Sequence, residues 1–466
     1  MEIAGRKVLV IGAARSGIAS ARFLAQGGAT VALSDRKPLT EWSKAALDLK
    51  TKGVGLIEGD PPSWLLDQIN LVVVSPGVPT NSIPIRYADR RGAEVIGEVE
   101  LASRFLRGRT VAITGSNGKT TTTSLIGEML KDAGLNVQVG GNIGTALVSM
   151  IDSSRDDGWN VVELSSFQLE TIVDFHPAVA AVLNITPNHM DRYESLMDYA
   201  AAKHNIFRNQ TASDVAILNA DDEIVSTWAN GLRAHVVPFS VKAELDEGLF
   251  LRGRELLSRT RDGERVLMSR DEMQLRGTHN VENVLAAFAA GLACGAAPDS
   301  LRDTVRRFRP VEHRLEEVAE IRGVRFVNDS KATSVDATMK ALDAFANERG
   351  KVVVILGGRG KQAPYAPLVG LIKASVRKMI LIGEDAKTIE AEIGNAAPHE
   401  HASDMHDAVA RSFAAAEPGD IVLLAPACAS FDMFESFEHR GRVFKEEVSS
   451  LEFRVHANPK LVTRNS

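Results

Sequence analysis

The sequence predicts an α/β protein of three domains built on largely parallel sheets. Three observations carry that expectation. Short β-branched runs alternate with helical patterns along nearly the whole chain, as parallel strands joined by crossover helices require. One such strand runs into Gly115-Ser116-Asn117-Gly118-Lys119-Thr120-Thr121 and then into a helical pattern. The chain's 466 residues, at roughly 150 per domain, accommodate about three cores.

Composition narrows the class. Lys and Arg number 54 against 60 Asp and Glu, a net charge of −6, which argues against a nucleic-acid partner because phosphate backbones select a basic stripe. With 44% hydrophobic residues, 37 Gly and 17 Pro, collagen and wholesale disorder are excluded. Cys294 and Cys428 are the only cysteines, too few for a disulfide framework, and they point to a reducing, cytoplasmic setting. The start, Met1 to Lys7, lacks the apolar core of a signal peptide. The longest uncharged apolar stretch, Val284 to Ala297, is shorter than the ~20 residues a bilayer needs, so no membrane partner is expected.

The first domain is placed at residues 1–98, with strands at 8–11, 30–33, 54–57, 71–74 and 94–96. Its first βα turn, Gly12-Ala13-Ala14-Arg15-Ser16-Gly17, resembles a dinucleotide fingerprint with Ala14 where the middle glycine would stand. Asp35, ending the second strand, is placed for a ribose-like hydroxyl, while Arg36-Lys37 favours extra phosphate. Ser75-Pro76-Gly77 brings a second loop to the same sheet edge. A Rossmann-like domain with a nucleotide or diphosphate pocket follows. A nicotinamide-dependent dehydrogenase would share these features, but hydride chemistry has no supporting residues.

A helical stretch over 98–106 leads through Gly108 into the second domain, residues 99–310, with strands at 110–113, 160–164, 179–185 and 215–218. Strand, glycine loop, Lys-Thr and helix make a P-loop: backbone N–H groups and the helix N-terminus hold phosphate, Lys119 reaches the terminal phosphates, and the Thr120 hydroxyl binds Mg²⁺. Gly115 to Gly118 is a short G-x-x-G form, with Ile113 where the longer form has its first glycine. The metal needs an acid at a neighbouring strand end, and Glu163 stands at one. His189 follows another strand, where parallel sheets bind ligands. Residues 234–276 read as short strands with turns, a small antiparallel sheet attached to this P-loop NTPase-like domain.

The third domain, residues 311–466, repeats the alternation with strands at 324–327, 351–356, 378–382 and 421–424. Three loops follow its strands: Asn328-Asp329-Ser330-Lys331-Ala332-Thr333, Gly357-Gly358-Arg359-Gly360-Lys361, and Ala427-Cys428-Ala429-Ser430-Phe431. Their lysines and hydroxyls converge at one sheet edge and suit an anionic substrate or the phosphates of a nucleotide. This domain also reads as Rossmann-like.

These loops, together with Glu163-Leu164-Ser165-Ser166-Phe167-Gln168-Leu169, His189-Met190-Asp191-Arg192, Thr278-His279-Asn280-Val281-Glu282-Asn283 and His313-Arg314, resemble the Mur ligase family, in family order and over essentially the whole chain. Within it the likeness is to the branch that adds D-glutamate to UDP-N-acetylmuramoyl-L-alanine, carried by the compact first domain and by the stretch Ala427 to Gly441. The resemblance implies an ATP-dependent amide ligase passing through an acyl phosphate and a tetrahedral intermediate. It implies two Mg²⁺ sites, formed by Thr120 and Glu163 and by His189 with Lys203, the latter carbamylated. Lys119, Glu163, His189 and Lys203 then form the reacting centre.

For ATP the resemblance implies Gly115, Ser116, Asn117, Gly118, Lys119, Thr120 and Thr121, with Asn280, Asn283, Arg314, Asp329 and Lys331. For the UDP-substrate it implies Arg15, Ser16, Asp35, Arg36, Gly77, Asn142 and Gln168, and for D-glutamate Thr333, Lys361, Ser430 and Phe437. A cytoplasmic monomer is expected. The pattern departs from the family at Arg15, Arg36, Asn188, Ser334 and Ala363 to Tyr365. Another Mur-type or a folylpolyglutamate-type ligase is the alternative, although the latter type begins directly with its P-loop domain. An NTPase switch would hydrolyse ATP without a carboxylate substrate.

Overall fold

The computed structural model describes residues 1–188, 192–275, 277–309, 313–345, 350–361 and 363–457. Three sheets are present among them, and they fall into two compact units. Met1–Ile185, Met197–Met273 and Glu282–Arg307 make the first, and Thr186–Leu196, Gln274–Val281 and Phe308–Ser466 make the second. No helix among the described residues is long and apolar enough to cross a membrane.

The first sheet comprises β1 (Lys7–Ile11), β2 (Thr30–Asp35), β3 (Gly55–Glu58), β4 (Leu71–Val74) and β5 (Glu94–Gly97), all parallel, in the order β3-β2-β1-β4-β5. This is the doubly wound order, reversing at β1, so that the crevice lies beyond the ends of β1 and β4. Val8, Leu9 and Val10 are fully buried, as strands covered on both faces must be.

The second sheet has nine strands: β6 (Arg109–Thr114), β7 (Val137–Gly141), β8 (Trp159–Glu163), β9 (Val179–Val182), β10 (Val215–Asn219), β11 (His235–Ser240), β12 (Gly248–Arg252), β13 (Glu255–Thr260) and β14 (Gly263–Ser269). Their order is β14-β13-β12-β11-β10-β9-β6-β8-β7. The antiparallel strands expected over 234–276 are present as β12 to β14, but they do not form a sheet of their own. β11 pairs in parallel with β10 and hands the hydrogen-bond ladder on to β12, so one mixed sheet results. Strand β7 escaped the sequence reading because Gly140 and Gly141 blunt its β signal.

Two glutamates weld these sheets into one unit. The helix Glu98–Ser103 follows β5 directly. Glu100, fully buried, accepts the N–H groups of Val173, Asp174 and Phe175 at 2.8, 3.0 and 3.0 Å on one carboxylate oxygen, while Arg104 binds the other at 2.8 Å. Glu98 accepts the Val148 N–H at 2.8 Å. Buried carboxylates need such donors, and here the donors come from the neighbouring sheet's loops.

The third sheet consists of β15 (Glu316–Ile321), β16 (Val324–Asn328), β17 (Val352–Gly357), β18 (Val376–Ile382), β19 (His399–His401) and β20 (Ile421–Leu424), ordered β15-β16-β20-β17-β18-β19. Only β15 is antiparallel. β20 pairs in parallel with both β16 and β17, so the loops that leave these three strands open on one sheet edge. Every residue of β17 is buried, and each buried Val or Leu there contributes about 1.5–3 kcal/mol. β15 is an edge strand rich in Glu, and its charges hid it from pattern reading.

Candidate active site

The P-loop is shaped by what surrounds its glycines. Gly118 has φ +81° and precedes the helix Lys119–Asp132, and a Cβ there would come 2.2 Å from Asn283 Oδ1. Gly115, at φ +150°, sits where a Cβ would press to 3.0 Å from Leu183. Asn184, two residues past β9, pins the loop between them. Its backbone oxygen accepts the Ser116 N–H at 2.8 Å, its Oδ1 accepts the Asn117 N–H at 2.8 Å, and its Nδ2 donates to Asn117 O at 3.2 Å. The N-terminal amides of a fourteen-residue helix therefore open onto this pinned loop, the arrangement that holds phosphate.

Three side chains gather there. Lys119 Nζ donates to the backbone oxygens of Gly115 and Ser116, both at 2.9 Å. Thr120 Oγ1 donates to Glu163 Oε2 at 2.7 Å, and Asn142 Nδ2 donates to Glu163 Oε1 at 2.8 Å. Glu163 is only 1% exposed. Gly141, at φ +100°, lets the ends of β7 and β8 close up, since a Cβ would meet Glu163 O at 2.4 Å. Hydroxyl and carboxylate oxygens in hydrogen-bond range are the donors a hard divalent cation takes. Among the described residues no group of three or more His, Cys, Asp or Glu could hold a metal ion.

Lys203, on the helix Leu196–His204, reaches the same loop from behind. It is 1% exposed, its Nζ donates to Gly115 O at 2.9 Å and Thr114 Oγ1 at 3.3 Å, and it lies 4.7 Å from the Tyr199 ring centre. Burial first, and the nearby Lys119 charge second, hold its pKa well below the usual lysine range, with Glu163 opposing them. An amine so placed is driven toward its neutral, nucleophilic form. His189 lies outside the described residues. Thr121 is buried on the helix Lys119–Asp132 that follows the P-loop.

The first sheet supplies a second part of this unit's site. Asp35 accepts the Ala13 N–H at 2.7 Å and the Lys37 N–H at 3.0 Å, so it organises the first βα turn. Gly12 (φ +102°) and Gly17 are required there, since a Cβ on Gly17 would lie 1.8 Å from Gly12 O. Arg15 donates to Gly144 O at 2.6 Å and Asn142 O at 3.2 Å. Arg15, Asn142 and Glu163 thus form one chain of hydrogen bonds from the first sheet to the P-loop. Ser16 is half-buried on the same turn, Gly77 is exposed beyond β4, and exposed Arg36 pairs with Asp60 at 3.6 Å. Gln168 is buried and closes a capping box with Ser165. Asn283 accepts Thr122 Oγ1 at 3.3 Å.

The second compact unit holds the other expected residues. Lys361 Nζ donates to Thr333 Oγ1 at 3.4 Å, and Lys331 Nζ lies 5.2 Å from the Phe437 ring centre. Asp329 is buried, which pushes its carboxyl up to about 6 against the pull of Arg314 and Lys331. Ser430 is buried, as is Asn280. Lys361 lines a cleft together with Asn188, Ser334, Ala363 and Tyr365, so most of the positions that depart from the family pattern meet in one place.

Arg440 was missed by sequence reasoning, because an arginine on a helix reads as surface. It is 1% exposed. Its guanidinium donates to Ser330 Oγ at 3.0 Å, Ser330 O at 2.8 Å, Cys428 O at 3.1 Å and Ala429 O at 3.3 Å. A Cβ on Gly358 would approach Arg440 Nη1 to 3.2 Å. All three strand-end loops of this sheet therefore pack round one cation. Asn184 and Tyr199 were also missed; neither has a sequence signal beyond its place next to a named motif.

Comparison with known proteins agrees with this geometry. Three family models match in order: the Mur ligase MurD-like N-terminal domain over residues 6–97, the Mur ligase middle domain over 113–291, and the Mur ligase glutamate ligase domain over 313–428. Among similar curated proteins, the UDP-N-acetylmuramoylalanine--D-glutamate ligase of Solibacter usitatus is 48% identical, covering 97% of this chain and 99% of the relative. The protein of the same name from Pelotomaculum thermopropionicum is 46% identical over 96% of this chain and 98% of its own. Among solved structures, a pseudomurein peptide ligase type C from Methanothermus fervidus matches with a TM-score of 0.61 at 17% identity, covering 96% of this chain and 100% of that one. MurF ligase from Thermotoga maritima in complex with ADP matches with a TM-score of 0.60 at 15% identity, covering 91% and 96%. Both likenesses show the shared fold.

Proposed function

The chain belongs to the Mur ligase family, and from that premise we propose that it joins D-glutamate to UDP-N-acetylmuramoyl-L-alanine with ATP, in peptidoglycan precursor synthesis. The observation that carries the reading is the cluster of Lys119, Thr120 and Glu163 at one strand edge, in a chain that aligns end to end with D-glutamate ligases.

A carboxylate is a poor electrophile, so the substrate's alanyl carboxylate must first take a phosphoryl group from ATP. The amine of D-glutamate then attacks the acyl phosphate, and the tetrahedral intermediate expels phosphate to leave an amide. The chain's part is positional and electrostatic. The amides at the start of the helix Lys119–Asp132 hold phosphate oxygens, and Lys119 swings from its loop carbonyls to the terminal phosphate. Asn142 and Thr120 fix the Glu163 carboxylate so that its charge faces the phosphate end. Mur ligases use Mg²⁺, and when bound here by Thr120 and Glu163 the ion screens the repulsion between phosphate and carboxylate oxygens.

Our reading also gives a second Mg²⁺ site to His189 and Lys203. The low proton affinity of buried Lys203 supports carbamylation, because a neutral amine adds CO₂ and the carbamate's oxygens suit Mg²⁺. A ¹³C carbamate resonance from labelled bicarbonate, lost in Lys203→Arg, tests this. Arg15, Ser16, Asp35, Arg36, Gly77, Asn142 and Gln168 serve the UDP-substrate. Asn280, Asn283, Arg314, Asp329 and Lys331 serve ATP, and Thr333, Lys361, Ser430 and Phe437 serve D-glutamate. Lys361 beside Thr333 offers the cation and hydroxyl that a dicarboxylate calls for. Domain boundaries near 98 and 310, a monomer and a cytoplasmic location complete the proposal.

The decisive assay is phosphate release from ATP with UDP-N-acetylmuramoyl-L-alanine, with and without D-glutamate. Full release requires both. Release that needs a different amino acid would overturn the specificity, and release that needs no carboxylate substrate would overturn the ligase reading.

A further inference from the structure

Glu98 stands out among the buried acids of the first unit. It begins the helix after β5, is 2% exposed, and keeps one carboxylate oxygen on the Val148 N–H at 2.8 Å. Its other oxygen, Oε2, is screened from solvent and meets no donor at hydrogen-bond distance, the Leu147 backbone acting on the carboxylate more weakly than Val148. Glu100 and Glu163, equally buried, have donors on both oxygens. An unsatisfied carboxylate oxygen is an expensive thing to bury, and it signals a donor that arrives later.

The place says which donor. Glu98 lines a narrow cleft with Ser75, Pro76, Thr80, Gln168 and Thr171. Across the first sheet the strand ends run β2, β1, β4, β5, so Asp35, Gly12, Ser75 and Glu98 follow one another toward the second sheet. Gln168 lies five residues beyond Glu163. A ligand with its nucleoside at β1 and β2 and its carboxylate at Glu163 passes the ends of β4 and β5 with its middle. In a UDP-sugar peptide that middle carries sugar hydroxyls and an acetamido N–H, all donors.

We propose that Glu98 reads the sugar portion of the nucleotide-sugar substrate, its Oε2 accepting a hydrogen bond from a sugar hydroxyl or the acetamido N–H. This rests on the substrate class given above. Glu98 is then a specificity-determining residue, separate from the phosphoryl-transfer groups. Burial pushes its carboxyl up to about 7, so an arriving donor converts it toward the ionised form and a proton leaves. Of the elements packed against it, the helix Arg15–Gln26 brings Arg15, whose charge favours ionisation. β5 brings Glu94, itself paired with Arg6 and Arg104. β4, the turn Leu147–Met150 and the helix Ser166–Leu169 bring no ionisable side chain.

The test is titration calorimetry of UDP-N-acetylmuramoyl-L-alanine and of UDP, on the wild-type chain and on Glu98→Gln. Gln keeps an acceptor for Val148 but presents an amide N–H where Oε2 was. The expected result is a roughly tenfold weaker Kd for the full substrate, unchanged Kd for UDP, and unchanged KM for ATP and D-glutamate. Wild-type binding of the full substrate near neutral pH releases protons, measured across buffers of different ionisation enthalpy, and Glu98→Gln abolishes that release. Glu98→Asp, which withdraws the carboxylate while keeping its charge, loses affinity for the full substrate alone. Equal affinity loss for UDP and full substrate, unchanged affinity for the full substrate, or no proton release in the wild type would overturn the proposal. Binding is read without turnover, so a chain that binds the substrate but adds no D-glutamate would sink the activity reading and leave this one standing.

Discussion

Lys203 beside the P-loop and Arg440 among the loops of the third sheet are both buried cations, and they resolve the same problem in opposite ways. Each is about 1% exposed, and each donates to backbone carbonyls of a strand-end loop. Burial lowers the proton affinity of both. For a lysine that direction favours the neutral amine. For Arg440 the fall is only to about 10, so the guanidinium remains a cation and its fork of donors stays in place. The P-loop region has buried a reactive group, and the loops of the third sheet have buried a strut. The first should therefore govern chemistry, and the second should govern how well D-glutamate is held.

The largest effects that test this division belong to the P-loop. Lys119→Ala and Glu163→Ala should each lower kcat by about 10³-fold or more, with thermal midpoints close to the parent. A variant that kept kcat and raised only the KM for D-glutamate would erase the distinction. Next, Lys203→Arg keeps the bulk and adds a permanent charge beside Lys119, and kcat should fall about 10²-fold or more. Normal turnover would show that neutrality at this position is unimportant. Arg440→Lys is smaller in rate and larger in stability. A lysine cannot bridge Ser330, Cys428 and Ala429 together, so the KM for D-glutamate should rise roughly tenfold while kcat holds. Chemical denaturation should show a loss of about 2–4 kcal/mol. Equal changes in the KM values of all three substrates would reduce Arg440 to a general support.

Which parts were legible in the sequence follows from the same physics. The buried parallel strands were visible because their apolar runs are continuous, as in Leu71–Val74 and Ile421–Leu424. The P-loop was visible because its glycines, Lys and Thr stand between a strand and a helix, and Gly118 takes the positive φ (+81°) that favours glycine. Glu163 was visible from its strand-end position. Strands β7 and β15 were hidden by glycine and by charge. The joining of β12–β14 to the parallel strands depends on pairing across β11, a tertiary fact with no local signal. Arg440, Asn184 and the vacant oxygen of Glu98 belong to that kind too. A buried polar group reveals its role through its partners, and the partners of Arg440 lie up to 110 residues away.

The smallest expected effect sharpens the contrast at Asp329, the buried acid nearest the strut's loop. Glu163 meets donors on both oxygens, whereas the Asp329 carboxyl is held up near 6 by burial, against a usual value of 3.8. Folding therefore favours its protonated form. Below about pH 4 the side chain carries its proton in both folded and unfolded chains, and burial has no charge to penalise. As pH rises from about 4 to 6 the unfolded chain ionises first, and folded stability falls by an amount on the order of 2–3 kcal/mol. Asp329→Asn removes the titration, so its stability relative to the parent should increase across that window and then level off above it. Arg314 and Lys331 both favour the ionised form, and ATP phosphates drawing those cations away would raise the carboxyl further. Chemical denaturation of parent and variant between pH 4 and 8 measures the difference. A variant whose advantage shrinks as pH rises would mean that the two cations outweigh burial, and Asp329 would then belong with Glu163 as a carboxylate kept charged by its partners.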